Sequence, residues 1–186
     1  MKKTETNIID TIKNNALLIE NTEGMSKENA QKVVEKVAEL MSSVENCELD
    51  EGLIDEAIAL VEFELREELM HKRCDEYGYN WAASVDEDNF WENEKDGDGN
   101  IICHDWGFED LYGDEVMYEE DEYDDFEFME MAVSMLYQGV CIYLAEKYQK
   151  DMHYGFKNNE YVISESVPED PLYVYHWDKK EWERDY

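Results

Sequence analysis

Phe128–Lys150, FMEMAVSMLYQGVCIYLAEKYQK, is the stretch that decides the fold. It carries only two acids and two bases, and Met129, Met131, Val133, Met135, Leu136, Val140, Ile142, Tyr143 and Leu144 set apolar side chains nearly all round a helical projection. A helix with no polar face belongs inside a protein. The segment is therefore expected to be a buried central helix over 128–150, and its flanks have to supply the cover.

Upstream, that cover reads as helices. Ile9, Ile12, Ala16 and Ile19 recur at helical spacing until Asn21-Thr22-Glu23-Gly24 breaks the pattern. Ser26 is a good N-cap for a second helix, whose Ala30, Val33, Val37, Leu40 and Val44 form one stripe. A third is expected from about Leu53 to Arg73, with Ile54, Ile58, Val61, Leu65 and Leu69 stepping by three or four. Its last turn holds His71, Lys72 and Arg73, which suit the C-terminal dipole. Downstream, Tyr161-Val162-Ile163 and Leu172-Tyr173-Val174-Tyr175 read as strands separated by Pro168 and Pro171. The expected class is α+β. A helical region over 1–74 precedes an acidic α+β region over 75–186, in which a small antiparallel sheet packs on the central helix.

Charge sets one stretch apart. Asp75 to Glu127 carries twenty-one carboxylates against a single lysine, Lys95, in a chain of net charge −33. The first 74 residues, by contrast, hold seventeen acids and nine bases. So acidic a chain invites the expectation of disorder, but 43% hydrophobic and 13% aromatic residues with only two prolines argue for a folded core. A dense carboxylate field opposes compaction through self-repulsion, so it implies a use, either a basic protein surface or bound cations.

Residues 109–127 concentrate that field, with eleven acids in nineteen positions interleaved with Tyr112, Tyr118, Tyr123 and Phe126. The spacing is one charge per roughly 2.6 Å if the segment is helical and roughly 5.7 Å if extended. Both lie near the ~3.4 Å per phosphate of one nucleic-acid strand. Tyrosines beside carboxylates can also stack on the arginines that line nucleic-acid channels. The reading is a nucleic-acid mimic whose partner is a basic nucleic-acid-binding protein. With no basic patch of its own, the chain is not expected to bind nucleic acid. The expected contacts are Tyr118, Glu119, Glu120, Asp121, Glu122, Tyr123, Asp124 and Asp125. Two plainer readings stand beside this one: a solvated acidic face, and Asp124, Asp125 and Glu127 acting as caps for the helix that follows.

Metal binding is the second use. Glu94, Asp96, Asp98, Gly99, Ile101 and Asp105 fall at positions 1, 3, 5, 6, 8 and 12 of an EF-hand-like calcium loop. Glu stands where the first Asp belongs, Asp105 replaces the bidentate glutamate, and Phe90–Asn93 and Trp106–Leu111 are poor helices. A β-hairpin turning at Asp96-Gly97-Asp98-Gly99, between Phe90-Trp91 and Ile101-Ile102, explains the same letters. His71, Cys74, Cys103 and His104 have some zinc-ligand spacing, but adjacent ligands close a tetrahedron poorly. Cys47, Cys74, Cys103 and Cys141 form no CxxC and suit a reducing compartment. The chain has no Gly-rich phosphate loop, nucleophile motif or HExxH, so neither an enzyme nor a cofactor is expected. No apolar h-region follows Lys2-Lys3 and no apolar run approaches the ~18–20 residues of a membrane span, so a cytoplasmic address is expected.

In the tail, Asn159-Glu160-Tyr161-Val162-Ile163-Ser164-Glu165-Ser166 resembles a segment of the small acidic Listeria-prophage anti-CRISPR inhibitors of Cas9. Those proteins are DNA mimics that block the region reading the PAM. The resemblance covers eight of 186 residues. It implies that Asn159 and Glu160 open a strand on a partner-facing side, and that the setting is a phage protein in a bacterial host cell. More broadly, the chain is similar in acidity to anti-restriction and anti-CRISPR mimics. The expected function is stoichiometric occlusion of a basic channel in a defence nuclease, a CRISPR effector or a restriction enzyme. An immunity protein for a nuclease toxin, a basic-protein chaperone and a nucleoid-protein antagonist fit the same physics.

Overall fold

Two capped helices supply the first half of the core. The computed structural model, which describes residues 8–77, 106–118 and 125–185, opens with a helical turn at 8–12 and a short helix α1, Ala16–Asn21. Ser26 caps α2, Lys27–Ser43, its hydroxyl accepting from the Asn29 N–H at 3.1 Å. Asp50 starts α3, Glu51–Tyr77, by accepting from the Leu53 N–H at 3.0 Å. Each cap satisfies an amide that a helix start leaves without a partner. Val33, Val37 and Leu40 of α2 and Leu53, Ile54, Ala57, Leu60 and Val61 of α3 then share one buried cluster.

The first expected stripe is corrected. Asn15 interrupts it, its side chain accepting from the Leu17 N–H at 2.9 Å, so α1 starts a new register. Leu18 is buried, while Ala16 is exposed and Ile19 is 56% exposed. The apolar face restarts at Leu18, because a cap begins a new helix instead of continuing the old one.

A hairpin follows, β1 (Trp106–Glu109) paired antiparallel with β2 (Glu115–Tyr118), Trp106 opposite Tyr118 and Glu109 opposite Glu115. The central helix, α4, then runs Asp125–Tyr148. Val133, Tyr137, Val140, Cys141, Leu144 and Ala145 are buried in the same cluster as the α2 and α3 residues. The expectation of burial all round is corrected, since Met135 is 59% exposed and Gly139 and Glu146 face solvent. The helix packs on α3 along one flank and on the sheet along another, which leaves a third strip open.

The helix ends abruptly. Gln149 takes a left-handed φ of 54° and the Lys150 N–H donates back to the Ala145 carbonyl at 3.1 Å, a Schellman-type stop. The chain enters β3, Met152–Lys157, at once. β4 (Glu160–Ser164), β5 (Asp170–His176) and β6 (Glu181–Arg184) complete a sheet of order β4-β3-β5-β6, antiparallel throughout. Asn158 and Asn159, with φ of 54° and 65°, form the two-residue β3–β4 turn, the conformation a tight hairpin favours. Gly155 is needed for close approach, because a Cβ there would sit 2.4 Å from the Asp170 carbonyl oxygen at the β3–β5 irregularity. Met152, Tyr154, Ile163 and Tyr175 face the helices and join the core. The molecule is α+β, as its patterning implied.

Candidate partner-binding surface

The acidic stretch divides between described and undescribed residues. Its first part is the hairpin. Asp110 builds the turn, one carboxylate oxygen accepting from the Tyr112 N–H at 2.8 Å and from the Asp114 N–H at 2.9 Å. Gly113 takes a φ of 87°, which lets the turn close without a side-chain penalty. Leu111 is driven into the core at 1% exposure, and Asn29 of α2 donates to its carbonyl at 3.1 Å. The hairpin is thus pinned to the helices by one leucine and one amide. Asp110 is a carboxylate with a structural task, while Glu109 and Asp114 remain exposed.

Tyr118 ends β2 and Asp125 opens α4, which places Asp125 and Glu127 in the first helical turn where the dipole favours them. Glu119, Glu120, Asp121, Glu122, Tyr123 and Asp124 lie outside the described residues. So do Glu94, Asp96, Asp98 and Asp105, the hairpin expected around Asp96–Gly99, and Cys103-His104. His71 and Cys74 fall within α3, which runs past the expected end at Arg73. Among the described residues no group of three or more His, Cys, Asp or Glu side chains converges to hold a metal.

Asn159 and Glu160 are both exposed and sit where the sheet meets the helices. Asn159 has a backbone reason to be there, its left-handed φ in the β3–β4 turn. Glu160 belongs to an acidic neighbourhood. Burial first, then the charges of Glu64 and Glu160, hold the Glu39 carboxyl above its ordinary range against the pull of Lys36. Lys36 lies 3.0 Å from both Glu39 and Glu64 and donates to the Tyr137 hydroxyl at 2.7 Å, while that hydroxyl donates to Glu64. Tyr137, Tyr154 and Phe156 cluster around Tyr161, with centroid separations of 4.8–6.3 Å; Tyr154 stacks on Tyr161 and the other pairs are tilted. Sequence patterning did not single out this network. Lys36 lies on the polar side of a well-patterned helix, and Tyr137 reads as one more core aromatic.

The described thiols, Cys47 and Cys141, are held in the protonated form. Burial pushes Cys141 up to about 12, and Cys47 is also raised, chiefly by burial. The described cations are largely engaged. Lys13, Lys32, Lys36, Arg66, Lys147, Lys150 and Lys180 each have a carboxylate oxygen no farther than 3.9 Å.

No described helix is long and apolar enough to cross a membrane. Comparison with family models, with curated proteins and with solved structures finds no match to this chain.

Proposed function

We propose that this protein is a nucleic-acid mimic that inhibits a nucleic-acid-targeting protein by occupying its basic channel, without chemistry of its own. The observation that carries the reading is the charge surplus of Asp75–Glu127, twenty-one carboxylates to one lysine, beside a framework that is itself acidic and in which Lys36, Arg66, Lys147 and Lys150 already face carboxylates. With twenty-eight acids to fifteen bases of its own, the framework has no net positive charge to offset the stretch, so neutralisation has to come from a partner. The pinned hairpin supports the same reading, since a rigid mount lowers the entropy lost on binding. The resemblance of residues 159–166 favours a phage counter-defence protein, with a CRISPR effector of the Cas9 type or a restriction nuclease as target. An immunity protein for a nuclease toxin would share the mechanism.

Affinity capture from a bacterial lysate, followed by a salt step, tests the class. The expected eluate is a nucleic-acid-processing protein that binds with one-to-one stoichiometry and is displaced by its own DNA or RNA. Association should slow between low and physiological salt, because exposed charges are screened beyond about 8 Å at 0.15 M ionic strength. Duplex binding by the purified chain at physiological salt, or salt-insensitive association, would overturn the proposal.

A further inference from the structure

A groove of about 510 Å³ opens between the start of α2, the middle of α3 and the β1–β2 turn. Its floor is apolar, formed by Leu65 and Leu69, which α3 leaves half-covered, and by Leu111. Glu28, Glu62 and Glu109 line its rim. Tyr112, 48% exposed, stands at one end with its ring packed over Gly24.

From this lining we infer that the groove holds an arginine-bearing segment of the protein partner. The guanidinium lies on Tyr112 among the rim carboxylates and its aliphatic stem lies on the leucine floor. The inference rests on the mimic reading, for which it names an anchor.

Charge selects the occupant. Arg66 answers Glu62 at 2.5 Å, and Lys32 reaches Glu28 only at 3.9 Å, so Glu28, Glu109 and the nearby Asp110 leave the groove negative. The N-terminus of α2 returns only about half a positive charge. Residues 78–105 of this chain carry eight acids and one lysine and would be repelled. Arginine suits the lining better than lysine, because its planar head stacks on an aromatic ring while its N–H groups donate edge-on to carboxylates, and its stem covers apolar surface.

The test is a nuclear magnetic resonance titration of the ¹⁵N-labelled full chain with the capped peptide Gly-Arg-Gly-Arg-Gly, and with its lysine counterpart. Shift changes should centre on 26–29, 65–69 and 109–113, with the arginine peptide bound about fivefold more tightly. Glu28→Gln with Glu109→Gln should weaken the arginine peptide about tenfold, and Tyr112→Ala should abolish the preference over lysine. All three positions are exposed, so the melting temperature should hold and confirm folding. Shifts spread evenly over the acidic surface, equal binding of the two peptides, or unchanged affinity in the double variant would each overturn the inference. So would contacts from residues 78–105 that the peptide cannot displace. These variants leave residues 119–125 intact. A double variant that still holds its captured partner at full affinity therefore overturns the groove alone. A chain that binds the peptide at this site but captures no nucleic-acid-processing protein overturns the mimic reading and supports the groove as an arginine site.

Discussion

The framework and the acidic stretch use the same side chains in opposite ways. Residues 1–74 hold seventeen acids to nine bases and residues 128–186 eleven to six, while 75–127 holds twenty-one to one. In the framework a carboxylate is a joint. Asp50 caps α3 and receives Lys147 and Tyr143 of α4, and Glu165 receives Lys150 while accepting from the Glu45 N–H at 2.6 Å. Those contacts tie α2, α3, α4 and the end of β4 together. In the stretch, Asp110 does such work through its turn. A charge with a geometric task is stabilising where it stands, whereas a charge without one raises self-repulsion until a partner arrives.

The contrast breaks most visibly if the surplus is removed. Replacing Glu119, Glu120, Asp121 and Glu122 with Gln or Asn should weaken partner binding by about 3 kcal/mol or more, over a hundredfold, if those charges meet arginines across the interface. Stability to urea should stay level or rise. A clear loss of stability with unchanged binding would make the stretch part of the framework.

Lys36→Met probes the opposite case. It leaves Glu39, Glu64 and the Tyr137 hydroxyl facing one another without their cation, and should cost about 2–3 kcal/mol in urea unfolding. Adding Glu64→Gln should recover part of that loss. Equal stability of Lys36→Met and the parent would show that the network is loosely hydrated.

Ser26→Ala should cost about 1 kcal/mol by freeing the Asn29 amide at the start of α2, read as a lower urea midpoint with an unchanged slope.

The smallest effect is in pH. The hydrogen bond to Asp151 at 2.8 Å, and then that to Glu183, hold the His176 imidazolium above its ordinary 6.5. Because the folded value is the higher one, this stabilisation is complete below about 6.5 and is lost as pH rises through the folded value. Asp151 is pushed up by burial, but His176 and the Trp177 N–H outweigh that and hold it low. Its share is therefore present above the ordinary aspartate range and lost as pH falls through the folded value. His176→Gln should flatten the alkaline fall in melting temperature, removing less than about 1 kcal/mol of stability below about pH 6.5.

Periodicity alone made much of the fold legible. Ser26, the α2 stripe, the α3 stripe and the apolar run of α4 each hold local information, because a helix is specified by neighbours three and four apart. β4 and β5 were legible for the same reason at period two. β3 was not, although Met152 and Tyr154 alternate correctly, because it follows the helix after a stop made by Gln149, a residue that does not announce a left-handed φ. β6 offers only Trp182 as an apolar signal. The β1–β2 hairpin was hidden inside the acidic stretch, whose charge masked the alternation around Gly113.

Of the surface, the sequence by itself determined the charge: how many carboxylates there are, where they crowd, and that few bases stand among them. Composition needs no coordinates. Which carboxylates are joints was decided only by the tertiary structure. Lys36 meets Glu64 across 28 residues and Tyr137 across 101, and Lys147 meets Asp50 across 97. The groove under Tyr112 likewise exists only because α2, α3 and the hairpin meet there. Charge is a sum over residues, whereas pairing is a distance between them, and distances across a chain are set by packing.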